Sequence, residues 1–165
     1  MANIAIVKLF YGMTITGAQL AGELIAHGHT AKIIFFKRQE ILTLPESQLP
    51  EYQLGDVTMR SVMMNPEGVT PFESSVWKRT KPQELQHLVT LLKELNVDAI
   101  GLSMLSLGLT LGAEVTAHLR EHFTVPILWG GTGPTLEPER SMESADLVCV
   151  GEGEEVIIEI AERLD

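Results

Sequence analysis

The 165-residue sequence predicts an α/β fold, a five-stranded parallel sheet with helices on both faces. Three observations carry that prediction. Apolar runs of strand length alternate with helical patterns along the chain. The strand runs are nearly continuously apolar, which marks strands covered on both sides. Finally, the chain holds five such strand–helix units, the number expected of a doubly wound sheet of this size.

The elements follow in order. Residues 4–7 form the first strand. A helix over about 16–27 turns Leu20, Leu24 and Ile25 inward and ends at Gly28, where a helix C-terminal glycine belongs. Residues 31–36 form strand two. Pro82, a residue favoured in the first helical turn, opens a helix with Leu85, Leu88, Val89, Leu92 and Leu95 on one face. Residues 97–103 form strand three, and the helix over about 109–122 buries Leu111, Val115 and Leu119. Strands four and five fall at 125–129 and 146–150. The last helix, about 154–164, buries Val156, Ile157, Ile160 and Leu164. Five such units indicate a flavodoxin-like (Rossmann-like) sheet of order 2-1-3-4-5, and right-handed crossovers place the strand-end loops along its C-terminal edge, where ligands are expected.

One stretch departs from the simple unit. Residues 38–79 carry Pro45, Pro50, Pro66 and Pro71 and read as an irregular insertion in a single domain spanning 1–165. A structureless loop of that length is unusual, so short elements are expected within it, with strand character at 57–64 and Trp77 as an anchor for the return.

Composition removes several function classes. Net charge is −10, with 22 acidic against 12 basic residues, which repels a phosphate backbone and argues against a nucleic-acid partner. No apolar run approaches the roughly 20 residues of a membrane-spanning helix, and the first residues lack the pattern of a secretory signal, so a cytoplasmic protein is expected. The single Cys149 excludes an internal disulfide or a multi-cysteine metal site within these residues. As one thiol at an apolar strand end it reads as core. The five histidines fall on helices or near their ends, away from the ligand edge. His118 and His122 have the i, i+4 spacing of a metal pair but no evident third ligand.

The strand-end loops carry the functional signal. Strand one leads into Phe10-Tyr11-Gly12-Met13-Thr14-Ile15-Thr16-Gly17, without the glycine–lysine spacing of a phosphate loop or a dinucleotide fingerprint. Strand three ends in Ser103-Met104-Leu105, strand four in Gly130-Gly131-Thr132, and strand five in Gly151-Glu152-Gly153-Glu154. Glycine at a strand tip allows close approach of a ligand to backbone amides. The loops describe a wide, mainly apolar trough suited to a large, flat cofactor with a tail. No catalytic set of the protein's own is evident.

These residues resemble the cobalamin (B12)-binding domains, and more narrowly the N-terminal module of B12-dependent radical SAM proteins. That family carries D-x-H-x-x-G after strand one, S-x-L after strand three and G-G after strand four. Ser103-Met104-Leu105 and Gly130-Gly131 match the last two, and Gly151-Glu152-Gly153-Glu154 matches a turn frequent in the radical SAM branch. In the first motif only Gly17 matches: Gly12 stands at the Asp position and Thr14 at the His position. The resemblance therefore implies cobalamin held base-off with no histidine ligand, its lower face over Gly12, Met13 and Thr14. Ser103 would bind the nucleotide tail, Gly130 and Gly131 would make room for the base, and Thr132 with Gly151, Glu152 and Gly153 would complete the wall. It implies a radical SAM or methyltransferase domain in cis or trans that would hold the iron–sulfur cluster and S-adenosylmethionine, with methyl transfer as the chemistry and this chain as an excised or free-standing carrier. The alternatives are a flavodoxin-like FMN-binding domain, a partner-docking regulatory domain without catalysis, and a fold that has lost its cofactor.

Overall fold

The computed structural model describes residues 1–11, 15–38, 40–42, 57–65, 68–77 and 80–165. The main sheet comprises β1 (Asn3–Tyr11), β2 (Thr30–Arg38), β6 (Ala99–Ser103), β7 (Ile127–Gly130) and β8 (Leu147–Val148). All pairings are parallel and the spatial order is β2-β1-β6-β7-β8, the predicted 2-1-3-4-5 arrangement. Between β2 and the next helix, β3 (Glu40–Leu42), β4 (Val57–Asn65) and β5 (Gly68–Trp77) form an antiparallel sheet of order β3-β5-β4. The side chain of Trp77 lies outside the described residues.

Alternation along the parallel strands divides the core in two. On one face, Ala5, Val7 and Leu9 of β1, Ile100 and Leu102 of β6, and Ile127 and Trp129 of β7 pack against α2 (Pro82–Leu95) and α3 (Leu109–Arg120). Trp129 is 1% exposed, and its indole N–H donates to Thr116 Oγ1 at 2.9 Å, satisfying both groups inside the core. On the other face, Ile4, Ile6, Ala99 and Leu128 meet Ala21 and Leu24 of α1 (Thr16–Ala26) and Ile157 and Ala161 of α6 (Glu154–Leu164). This second cluster is the smaller of the two.

Two residues assigned from sequence to the buried faces are exposed. The buried stripe of α1 is Gly17, Ala21 and Leu24, and Ile25 is 61% exposed because it lies about 100° round the helix from Leu24. In α6, Ile157 and Ala161 are buried whereas Val156 is 37% exposed, because the space between α6 and α1 is not filled by side chains. The link from β7 to β8 also holds two short helices that no periodicity reveals, α4 (Thr132–Leu136) and α5 (Pro138–Met142). Gly28 does adopt positive φ after α1.

Strand β8 has two residues and depends on side-chain support from its start. Asp146 Oδ2 accepts the Ile127 N–H at 2.7 Å and is also bonded by the Arg120 guanidinium. Partial burial pushes this carboxyl up, but the Arg120 and Ile127 hydrogen bonds and the guanidinium charge outweigh it, so its pKa lies below the ordinary value. A depressed folded-state pKa stabilises the protein above the unfolded value and loses that contribution as pH falls through the folded one. Asp146→Asn is therefore expected to cost about 0.5–1 kcal/mol at neutral pH, the range for a half-exposed ion pair. In urea melts the deficit should disappear in acid. A deficit that persists there unchanged would contradict the charge argument.

Candidate functional site

The unfilled space between α1 and α6 opens onto the C-terminal edge of the sheet as a cavity of about 620 Å³. Its floor follows from strand parity. Ile6 pairs with Gly101 and Gly101 with Leu128 across β1, β6 and β7, giving an apolar row with a gap at its centre. Two residues further along each strand, Lys8 pairs with Ser103 and Ser103 with Gly130, giving a second, more polar row nearer the mouth. Leu20 of α1 and Val156, Ile157 and Ile160 of α6 form the side walls. The arrangement is an apolar slot beneath a polar step.

Gly101 is what keeps the slot open. A Cβ built there would come no closer than 3.7 Å to the Ala5 carbonyl, an ordinary contact, so the fold leaves room at this position. Gly130 is similar, with Cys149 Cβ at 3.7 Å as the nearest atom. Gly131 is different. Its φ of 102° and ψ of −172° lie in a region used almost only by glycine, and a Cβ would stand 2.6 Å from the Met104 carbonyl oxygen. That closeness lets the loops after β6 and β7 lock together: Met104 N–H donates to Gly130 O at 3.0 Å and Gly133 N–H to Met104 O at 3.1 Å.

The structure gathers most of the sequence-derived candidates at this cavity and redistributes their roles. Ser103, Leu105, Gly130, Gly131, Thr132, Gly151, Glu152 and Gly153 all line it. Met104 contributes backbone, while its side chain is 3% exposed and packs in the α2–α3 core against Trp129. Gly17 is not among the lining residues; it lies under the stem of Lys8, whose Cδ would be 2.9 Å from a Gly17 Cβ. Gly12, Met13 and Thr14 fall outside the described residues. Cys149 lines the cavity instead of sitting in the core. Burial, and then the Glu154 charge, push its thiol pKa up, which opposes a nucleophilic role.

Three features of the site went unread in the sequence. Lys8 is 6% exposed and its ammonium donates to Thr16 Oγ1 at 3.0 Å. A lysine inside an otherwise apolar buried strand was the available signal. Gly101 in mid-strand was another, since an interior strand glycine often marks close approach of a ligand. Thr135 ties two loops together, its hydroxyl donating to Gly131 O at 2.8 Å and accepting from Gly151 N–H at 3.1 Å. Away from the cavity, His118 and His122 do gain a possible third ligand in Glu121, with the ligand atoms of all three within 4.8 Å of one another. They lie at the end of α3, on the opposite edge of the sheet.

The sheet is parallel and doubly wound, with its cavity at the C-terminal strand ends across the reversal between β1 and β6, the place where ligands bind in α/β domains of this class. The family model described as "B12 binding domain" matches residues 75–161, and the chain belongs to that family. Solved structures share the fold. The radical S-adenosylmethionine methyltransferase TsrM from Kitasatospora setae matches with a TM-score of 0.60 at 11% identity, over 99% of this chain and 26% of that one. The cobalamin-dependent S-adenosylmethionine radical enzyme OxsB matches at 0.59 and 15%, over 100% and 19%. A cobalamin-binding protein from Desulfitobacterium hafniense DCB-2 matches at 0.53 and 14%, over 99% and 59%. This chain thus spans about a quarter and a fifth of the two radical enzymes. No curated protein sequence matches it.

The residues present fit cobalamin. The Ile6–Gly101–Leu128 floor, walled by Leu20 and Ile157, suits a flat, apolar base such as the one ending the nucleotide tail. Ile15, Leu105, Leu107, Leu136 and Val150 are 46–76% exposed, all in segments following the C-terminal ends of strands, and of these Leu105 also lines the cavity. Among the described residues, no helix is long and apolar enough to cross a membrane.

Proposed function

We propose that this chain is a cobalamin-binding module that presents B12, base-off and without a histidine ligand, to a radical SAM or methyltransferase domain. The observation that carries the reading is the slot between α1 and α6, kept open by Gly101 and overlain by the Lys8–Ser103–Gly130 row. The base of the nucleotide tail enters the slot, and Ser103 offers its hydroxyl to the tail at the step above. Gly130 and Gly131 form the wall on the β7 side, with Thr132 and the Gly151–Gly153 turn beyond them. Residues 9–17 contain no histidine, which supports a cobalt face without an imidazole from this loop. When bound, cobalamin would supply methyl-carrying chemistry, while the protein supplies binding, orientation and an apolar collar.

The partner domain would meet the exposed apolar rim and would provide the iron–sulfur cluster and S-adenosylmethionine. The two radical enzymes above, each several times the length of this chain, support such an arrangement.

The test is direct. Purified protein mixed with hydroxocobalamin or methylcobalamin and then desalted is expected to retain the corrinoid with the visible spectrum of the base-off form. No retention by protein with intact circular dichroism would overturn the reading. Retention with a base-on spectrum would keep the carrier and remove the base-off mode.

A further inference from the structure

His118, Glu121 and His122 form a cluster that the cavity does not use. Helical spacing brings them together, since positions i, i+3 and i+4 share one face. The backbone keeps that spacing past the last turn of α3: Glu121 N–H donates to His118 O at 3.2 Å and His122 N–H to Leu119 O at 3.0 Å. Leu119, between the histidines, is fully buried and fixes the turn to the core. The two imidazole rings meet edge to face with centroids 5.1 Å apart. One ligand atom from each of the three residues lies within 4.8 Å of the other two.

The surroundings favour a cation. His118 Nε2 is buried without a hydrogen-bond partner, so a metal reaches this ring through Nδ1, which stands 3.9 Å from Glu121 Oε2. Two imidazoles and a carboxylate are a zinc donor set, with ligand atoms about 3.3–3.5 Å apart around a tetrahedral ion. The Glu121 side chain, 70% exposed, is free to rotate inward by the distance this requires. The C-terminal end of α3 carries the negative pole of its dipole, and the net charge of −10 adds to the attraction. Arg120, the cationic residue within the turn, is bonded to Asp146 and to the Val125 carbonyl instead. We propose that His118 Nδ1, Glu121 and His122 bind one zinc ion, with water in the fourth position, closing the end of α3 onto the turn that leads to β7. Zinc there would bind whether or not a corrinoid occupies the cavity, which lies on the opposite edge of the sheet.

The experiment titrates zinc chloride by calorimetry into the corrinoid-free chain as wild type, Glu121→Gln, His122→Asn and Cys149→Ser. Wild type is expected to bind one zinc ion and to melt at a higher temperature in its presence. Glu121→Gln and His122→Asn should each weaken zinc at least about tenfold while keeping the circular dichroism of wild type. Cys149→Ser, a control for the lone thiol, should stay within about twofold. Both imidazoles must be neutral to bind, so affinity should fall as pH drops through about 6.5. Histidine ring nitrogen resonances should move on zinc addition at His118 Nδ1 and at His122, and not at His27, His29 or His87. Zinc binding that survives His122→Asn, ring shifts confined to the other histidines, or no zinc binding by wild type would overturn the site. Loss in His122→Asn with no change in Glu121→Gln would also overturn it, because the carboxylate would then not be a ligand.

Discussion

Gly131→Ala is expected to lower stability by about 3 kcal/mol, whereas Gly130→Leu, one residue earlier, should leave stability nearly unchanged and abolish cobalamin retention. The difference lies in where each missing side chain would point. At Gly131 the backbone conformation is nearly forbidden to other residues, at about 1–3 kcal/mol, and a Cβ would collide at 2.6 Å with a backbone carbonyl that cannot swing aside. For a chain of this size, 3 kcal/mol corresponds to a melting temperature lower by roughly 6–12 °C. At Gly130 the nearest neighbour is at an ordinary 3.7 Å, so the new side chain extends into the cavity. Thermal melts and a desalting assay on the two variants settle the matter. Equal stability loss in both would refute the division of labour between the paired glycines.

Gly101→Leu should separate binding from stability even more sharply. The leucine would fill the apolar slot where the Gly101 gap leaves room, replacing the residue least suited to a strand interior with one that buries apolar area. Cavity filling and the loss of a strand glycine each favour the folded state, and together are expected to raise stability by roughly 1 kcal/mol. Cobalamin affinity should fall at least tenfold, equivalent to about 1.4 kcal/mol, because the tail base loses its place. The two readouts move in opposite directions, which general misfolding cannot imitate. Unchanged cobalamin affinity with a normal melt would show that the base does not enter this slot.

Much of this arrangement was legible before any coordinates. The near-continuous apolar runs at β1, β6 and β7 signalled a parallel sheet, and their endings at Ser103, Gly130 and Gly151 marked the ligand edge. The helix boundaries were readable because α2, α3 and α6 each complete three turns or more. Helices α4 and α5, with five residues each, complete too few turns to leave a periodic pattern. The depth of the site was less accessible. In a strand buried on both faces, apolarity does not say which side a residue serves, so Met104 could not be distinguished as core nor Gly101 as slot. Lys8 was obscured for a related reason: the apolar run that marks the first strand stops at Val7, and only the packing of α1 across the strand shows that the lysine beyond it is buried. The FMN and docking alternatives could not be dismissed from the loops alone, since glycine-rich strand ends suit many ligands. The B12-binding family match favours the cobalamin reading over them.

The alternation along the central strands has one further implication. Ile6, Lys8, Gly101, Ser103, Leu128 and Gly130 face the cavity, while Val7, Leu102 and Trp129, interleaved one position away, face the larger core. Ligand preference and fold integrity are thus written on alternate letters of the same short words. Mutation can explore which corrinoid is accepted by changing one set while the other preserves the scaffold. An insertion or deletion of a single residue within β6 would exchange the two sets and lose both at once.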